Sequence, residues 1–240
     1  MKVYVNNRDY LTWPKLQVSW FLNHGHDVTI IDNASTYEPL LNWYATKPCS
    51  IVFLGENLGH LAPWRSRAVD ASDYYAVTDP DLSFDGIPPD WPEVCVEGIR
   101  RGAMKCGFSL EELGVPSRNP AWLADGFYLH PRGLPALWGP RVRPGDGYIR
   151  YPVDTTFAVY APGGRYGVGG WRTDRPYTAR HLPWHIVPNR QGGSEALEIP
   201  MDDEIFYYFT HASDVSRTKA RLQPMLAAYE GMKRGAAAGI

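Results

Sequence analysis

Short, unbroken apolar runs punctuate the first half of the chain, and longer mixed stretches separate them. The runs at residues 3–5, 28–31, 50–54 and 74–78 are rich in Val, Ile and aromatic residues and predict strands. Between the first two, Thr12-Trp13-Pro14 opens a predicted helix that reaches about Asn23 and ends near Gly25. Thr12 is suited to capping, and proline fits a first helical turn. Further helices are predicted over residues 36–45, 63–71 and 90–102, followed by a strand over 105–110. Continuous apolar strands alternating with helices imply an α/β fold, with a Rossmann-like, mostly parallel sheet and helices on both faces.

The pattern changes after that strand. Residues 114–150 are rich in Pro, Gly and Arg, with little periodicity. So long a stretch predicts a functional or mobile loop. A strand is expected at 155–160, then Gly-rich turns, then two helices over 202–212 and 216–233. Residues 235–240, Gly-Ala-Ala-Ala-Gly-Ile, read as frayed. The acidic run Asp202-Asp203-Glu204 fits a first helical turn, where it complements the helix dipole. With no internal repeat, the whole of residues 1–240 is expected to be a single domain.

In open parallel sheets, ligands bind at the carboxyl ends of the strands. The polar residues at these ends are Asn6, Asn7 and Arg8, then Asp32, Asn33 and Ser35, then Glu56 and Asn57, then Asp79 and Asp81. All are expected along one edge. Neither GxGxxG nor GxxxxGK[ST] follows the first strand, so dinucleotide and P-loop readings lose their main support.

Composition narrows the function classes. The net charge of −2 lacks the basic excess of a general nucleic-acid binder. Nine Trp and fifteen Tyr offer flat surfaces for sugars or bases, besides filling core and loops. Cys49, Cys95 and Cys106 are odd in number and widely spaced, which predicts free, mostly buried thiols in a reducing compartment. The start Met-Lys-Val-Tyr-Val leaves no room for a signal peptide, and no run approaches the ~18 apolar residues of a membrane span. A soluble, cytoplasmic protein is expected.

Asp79-Pro80-Asp81 follows an apolar strand directly. Two carboxylates two residues apart on a turn can approach one hard cation from the same side, and their oxygens suit Mg2+ or Mn2+. The order Asp32-Asn33-Ala34-Ser35-Thr36, then Glu56-Asn57-Leu58-Gly59, then Tyr75-Ala76-Val77-Thr78-Asp79-Pro80-Asp81-Leu82 resembles the nucleotide-binding half of GT-A glycosyltransferases, in particular family 2. Lys105-Cys106-Gly107-Phe108-Ser109-Leu110, Asp154-Thr155-Thr156-Phe157 and Arg180-His181-Leu182-Pro183-Trp184 extend the likeness from Val3 to about Ala212, most weakly between Gly114 and Arg150.

The resemblance implies a GT-A fold and a divalent-metal-dependent transfer from a nucleoside diphosphate sugar, UDP-linked by preference, to an acceptor hydroxyl. Most members of that family invert the anomeric carbon. Residues 1–112 would bind the donor, and residues 113–240 would form a less regular acceptor side. Asp32 would meet the base or ribose near Asn6 and Arg8. Asn57 and Gly59 would line the donor site, and Asp79 and Asp81 would hold the metal on the diphosphate. His181 would complete the metal site or simply pack, with His185 as its substitute. Arg172 and Arg180 would offset phosphate charge or remain ordinary arginines. An inverting reaction needs a base, and Asp125 and Asp154 are the candidates. Related sequences often carry Trp-Glu near Asp125, where this chain has Asp and a shifted Trp. The acceptor is open: a glycan, a lipid-linked sugar, a small molecule, a protein or a modified DNA base. Two rival readings are a nucleotidyltransferase and a non-catalytic nucleotide-sugar-binding module.

Overall fold

The computed structural model describes residues 1–111, 115, 146–187, 198–212 and 216–237. The four expected apolar runs form β1 (Lys2–Asn7), β2 (Asp27–Asp32), β3 (Ser50–Phe53) and β4 (Tyr75–Thr78). They pair in parallel in the order β3-β2-β1-β4, with Asn7 level with Asp32 and Val5 level with Thr78. The second half adds β5 (Leu82–Ser83), β6 (Lys105–Leu110), β7 (Tyr148–Arg150), β8 (Phe157–Tyr160) and β9 (Trp171–His181). The sheet continues β4-β8-β6-β9-β5, and β7 also pairs with β9. Strands β1 to β4, β6 and β9 all run one way, whereas β5, β7 and β8 run against them. A two-stranded pair, β10 (Ile186–Val187) and β11 (Ile199–Pro200), stands apart.

This is a mixed α/β fold built on one large, mostly parallel sheet. The reversal at β8 matters for the site. Phe157 lies level with Thr78, so the residues just before β8 return to the carboxyl edge of β4.

Helices cover both faces, as the sequence predicts. Val3 and Val5 of β1 pack on one face with Trp13, Val18 and Phe21 of α1 (Thr12–Asn23), Leu40 and Tyr44 of α2 (Glu38–Ala45), and Trp91 and Cys95 of α4 (Trp91–Arg100). Tyr4 turns to the other face and joins Ile31, Tyr75, Val77 and Tyr160, against which Trp64 of α3 (Ala62–Arg65) packs. Helix α4 lies so close to β6 that a Cβ on Gly98 would meet Cys106 Sγ at 2.9 Å. Cys49, Cys95 and Cys106 are free thiols, the last two buried.

Four expectations about elements need correction. The helix expected over residues 63–71 stops at Arg65, because Ser66 Oγ donates back to the Ala62 carbonyl and Arg67 takes a left-handed φ of 60°. The loop expected through residue 150 ends earlier, in β7, whose Tyr148 and Ile149 are buried; most of that loop lies outside the described residues. Strand β9 has no counterpart in the predicted elements. Its polar run Arg172-Thr173-Asp174-Arg175 hides it, and its pairing with β6 jumps from Thr173 to Thr178 across a bulge. Finally, the helix expected over residues 202–212 is only α5 (Asp203–Tyr207), followed by a wider turn at Tyr208–Ala212, and α6 (Ser216–Ala237) runs on through residues expected to fray. No helix among the described residues is long and apolar enough to cross a membrane.

Candidate functional site

The polar strand ends do meet along one edge. Asp32 closes β2 and is buried; its Oδ1 accepts the Ser35 amide at 3.1 Å, and burial raises its pKa above the ordinary carboxylate value. Asn6 and Asn33 both direct side-chain amides at the Gly59 carbonyl, at 3.5 and 3.0 Å, while Asn57 Oδ1 accepts the Gly59 amide at 2.9 Å. Gly59 holds φ at +70°, a conformation that a side chain would strain. Asn6, Asp32, Asn57 and Gly59 therefore gather into one wall at the carboxyl edge. Arg8 follows β1 with its Nε 3.7 Å from the Asp9 carboxylate. Asp9 in turn pins the loop into α2, accepting the amides of Thr36 and Tyr37.

The Asp79-Pro80-Asp81 turn lies beside this wall and is held from several directions. The Asp79 amide donates to the Thr156 carbonyl at 2.9 Å, and Thr155 Oγ1 donates to Asp79 Oδ2 at 2.9 Å. From beneath, Gln17 of α1 donates to the carbonyls of Asp79 and Leu82, both at 3.0 Å. Across the β5–β9 ladder, Leu82 lies level with His181, whose Nε2 is 3.6 Å from Asp81 Oδ2.

The electrostatics are those of anions short of a counter-charge. Burial, the neighbouring Asp81 and then Asp154 push the Asp79 pKa well above the ordinary carboxylate value; Thr155 and His181 oppose them. Asp81 Oδ1 is buried and accepts no hydrogen bond. Asp81 and His181, with Asp79 beside them, could hold a divalent cation. Among the described residues, no three His, Cys, Asp or Glu side chains converge closely enough to hold one unaided.

A raised carboxylate pKa in the folded state contributes stability at low pH that is lost as pH rises through the raised value. Urea unfolding of the cation-free protein should therefore show Asp79 weakening the fold as pH climbs from the ordinary carboxylate range upward. Asp79→Asn should flatten that part of the profile.

Asp154 stands behind Asp79 and is differently placed. Burial works to raise its pKa, but the Arg172 guanidinium and hydrogen bonds from Thr156 carry it below the ordinary value. Arg172, expected at the donor phosphates, is fully buried. Its Nε and Nη1 donate to the carbonyls of Pro152 and Phe108, and its Nη2 lies 3.4 Å from Asp154 Oδ1. It supports Asp154 from within the fold. Arg180 points away from His181, as alternation along β9 requires, and lines a separate cleft. His185 is buried within the turn Leu182–His185. Asp125 lies outside the described residues.

Four residues that support this edge escape a reading of the sequence. Thr155 reaches Asp79 only because β8 reverses. Gln17 leaves a signal, being polar on the apolar stripe of Trp13, Val18 and Phe21. Lys105 is fully buried, donates to the Asp154 carbonyl at 3.1 Å, and has its pKa lowered by burial to about 8. Glu204 accepts the amides of Leu11 and Thr12, both at 2.8 Å, and the Thr12 hydroxyl at 2.6 Å, so it caps α1 from the far end of the chain.

No protein-family model matches the chain, and no curated protein sequence matches it.

Proposed function

We propose that this chain is a divalent-metal-dependent glycosyltransferase of the GT-A type, moving a sugar from a nucleoside diphosphate sugar to an acceptor hydroxyl. The observation that carries the reading is the under-neutralised pair of Asp79 and Asp81, with His181 and Asp154 beside it, at the carboxyl edge of a mostly parallel sheet. Such clusters in a crevice mark functional sites, because a fold gains nothing by crowding carboxylates. The buried, unpartnered oxygen of Asp81 suits an incoming cation.

In this reading the base and ribose lie against Asn6, Arg8 and Asp32, and the Gly59 turn leaves room for backbone approach. Asp81 and His181, with Asp79, would hold Mn2+ or Mg2+. So few protein groups fit an ion that takes its remaining oxygens from phosphate and water, the usual arrangement for Mg2+ at phosphate sites. The cation would offset charge developing on the departing diphosphate. Gln17 and Thr155 fix the turn so that its carboxylates need not reorganise. Arg172 and Thr156 hold Asp154 ionised, which suits it to electrostatic support and makes it a weak base. Asp125 is then the candidate to accept the acceptor's proton in an inverting displacement.

The test is donor hydrolysis. The protein incubated with Mn2+ and a panel of UDP-sugars should release UDP slowly from one of them, and not without metal. A nucleotide-sugar-binding module would bind donor without releasing UDP. Absence of donor binding by calorimetry, with metal and without, would refute the reading.

A further inference from the structure

On the side of the Asp79–Asp81 turn where Gln17 stands, α1, β5 and the end of β9 enclose a cleft of about 440 Å³. That is the size of a small-molecule site, commonly about 300–1,000 Å³. Its walls are flat and apolar: Trp13, Leu16, Trp20 and Phe84 line it. The Trp20 and Phe84 rings lie 5.5 Å apart, and Leu16 is 63% exposed at the mouth.

Two polar residues among the lining bear on its chemistry. Gln17 is buried and spends its amide hydrogens on the carbonyls of Asp79 and Leu82, but its Oε1 is buried with no hydrogen-bond partner. Arg180 also lines the cleft; its Nε is buried without a hydrogen-bond partner, and none of its guanidinium nitrogens has an ion-pair or hydrogen-bond partner among the described residues. Arg180 is half-buried, so its guanidinium can still reach an anion that enters the cleft. Asp85 lines the same cleft and accepts the Ser83 hydroxyl at 2.9 Å, but it makes no ion pair with Arg180 among the described residues, so the guanidinium is left to an incoming anion.

We infer that this cleft is a second binding site, for a small planar aromatic molecule carrying an anionic group. Its ring system would lie among Trp13, Trp20 and Phe84, and its anion would pair with Arg180. The site is separate from the donor crevice, and the inference does not depend on the transferase reading.

Two dyes of the same shape test it by fluorescence titration of the full chain: 8-anilinonaphthalene-1-sulfonate, an anion, and N-phenyl-1-naphthylamine, its uncharged counterpart. Saturable binding of the anion at one site is expected, and excess UDP with Mn2+ should not displace it. Arg180→Glu should weaken the anion at least tenfold and the neutral dye less than twofold. Leu16→Glu, at an exposed position and checked by circular dichroism for an intact fold, should weaken both at least fivefold. Three results would overturn the inference: non-saturable binding, an Arg180→Glu affinity for the anion equal to wild type, or displacement by UDP.

Discussion

Asp81→Asn is expected to remove metal-dependent release of UDP, by a factor on the order of 100 or more, while leaving the fold at least as stable as wild type. The activity loss follows from the loss of a charged ligand that would steady the cation on the leaving diphosphate, a contribution of several kcal/mol. The stability effect has a separate cause. Asp81 is a chief reason, after burial, that the Asp79 pKa is driven upward, and its own Oδ1 accepts no hydrogen bond. Removing that charge relieves repulsion in the cation-free fold. A residue kept at the expense of stability is the usual signature of a functional site. Thermal unfolding without metal should give a midpoint equal to or above wild type, and single-donor kinetics should show the loss. A variant that unfolds easily would mean that Asp81 is structural.

Glu204→Ala is expected to destabilise the protein by about 2–4 kcal/mol in urea unfolding, with an unchanged m-value. Helix α1 has no capping side chain of its own: Leu11 precedes it, and no acidic residue lies in its first turn. Glu204 supplies the missing acceptor across 192 residues of chain, as well as a negative charge at the positive end of the helix. Hydrogen bonds to a charged group contribute about 1.5–3 kcal/mol each, and bonds shared by one carboxylate do not add fully. The stacking of Tyr10 on Tyr208, with ring centroids 3.8 Å apart, joins the same two segments. Because α1 also carries Gln17 beneath the Asp79 turn, the variant should lose donor affinity as well. Glu204→Gln, which keeps one acceptor oxygen, should recover part of both losses.

What the sequence made legible has a physical pattern. Strands β1, β2 and β4 are short apolar runs largely buried on both faces, and the edge strand β3 is as apolar though only half-buried, so hydrophobicity alone marks all four. Their polar termini could then be placed on one edge before any coordinates, and Asn6, Asp32, Asn57, Asp79 and Asp81 do lie there. The second half resisted because its order comes from long-range pairing. Strand β9 is polar and bulged, and it is held by β6 and by the buried Arg172, whose charge reads as surface until Asp154 and two carbonyls are seen around it. The acidic run Asp202-Asp203-Glu204 divides its work in a similar way. Asp202 accepts the Ile205 amide at 2.8 Å and caps its own helix, as local reasoning expects, whereas Glu204 turns away to cap α1. Local pattern cannot show which carboxylate points outward from its own helix.

The most direct test of the central claim is manganese binding followed by electron paramagnetic resonance, with and without UDP. Asp81 and His181 are too few to hold the ion alone, so diphosphate oxygens must help, and binding of the two ligands must then be reciprocal. The account predicts weak Mn2+ binding to the protein alone, at least tenfold tighter binding when UDP is present, and no tightening in Asp81→Asn. Manganese affinity unchanged by UDP, or equal tightening in Asp81→Asn, would contradict it.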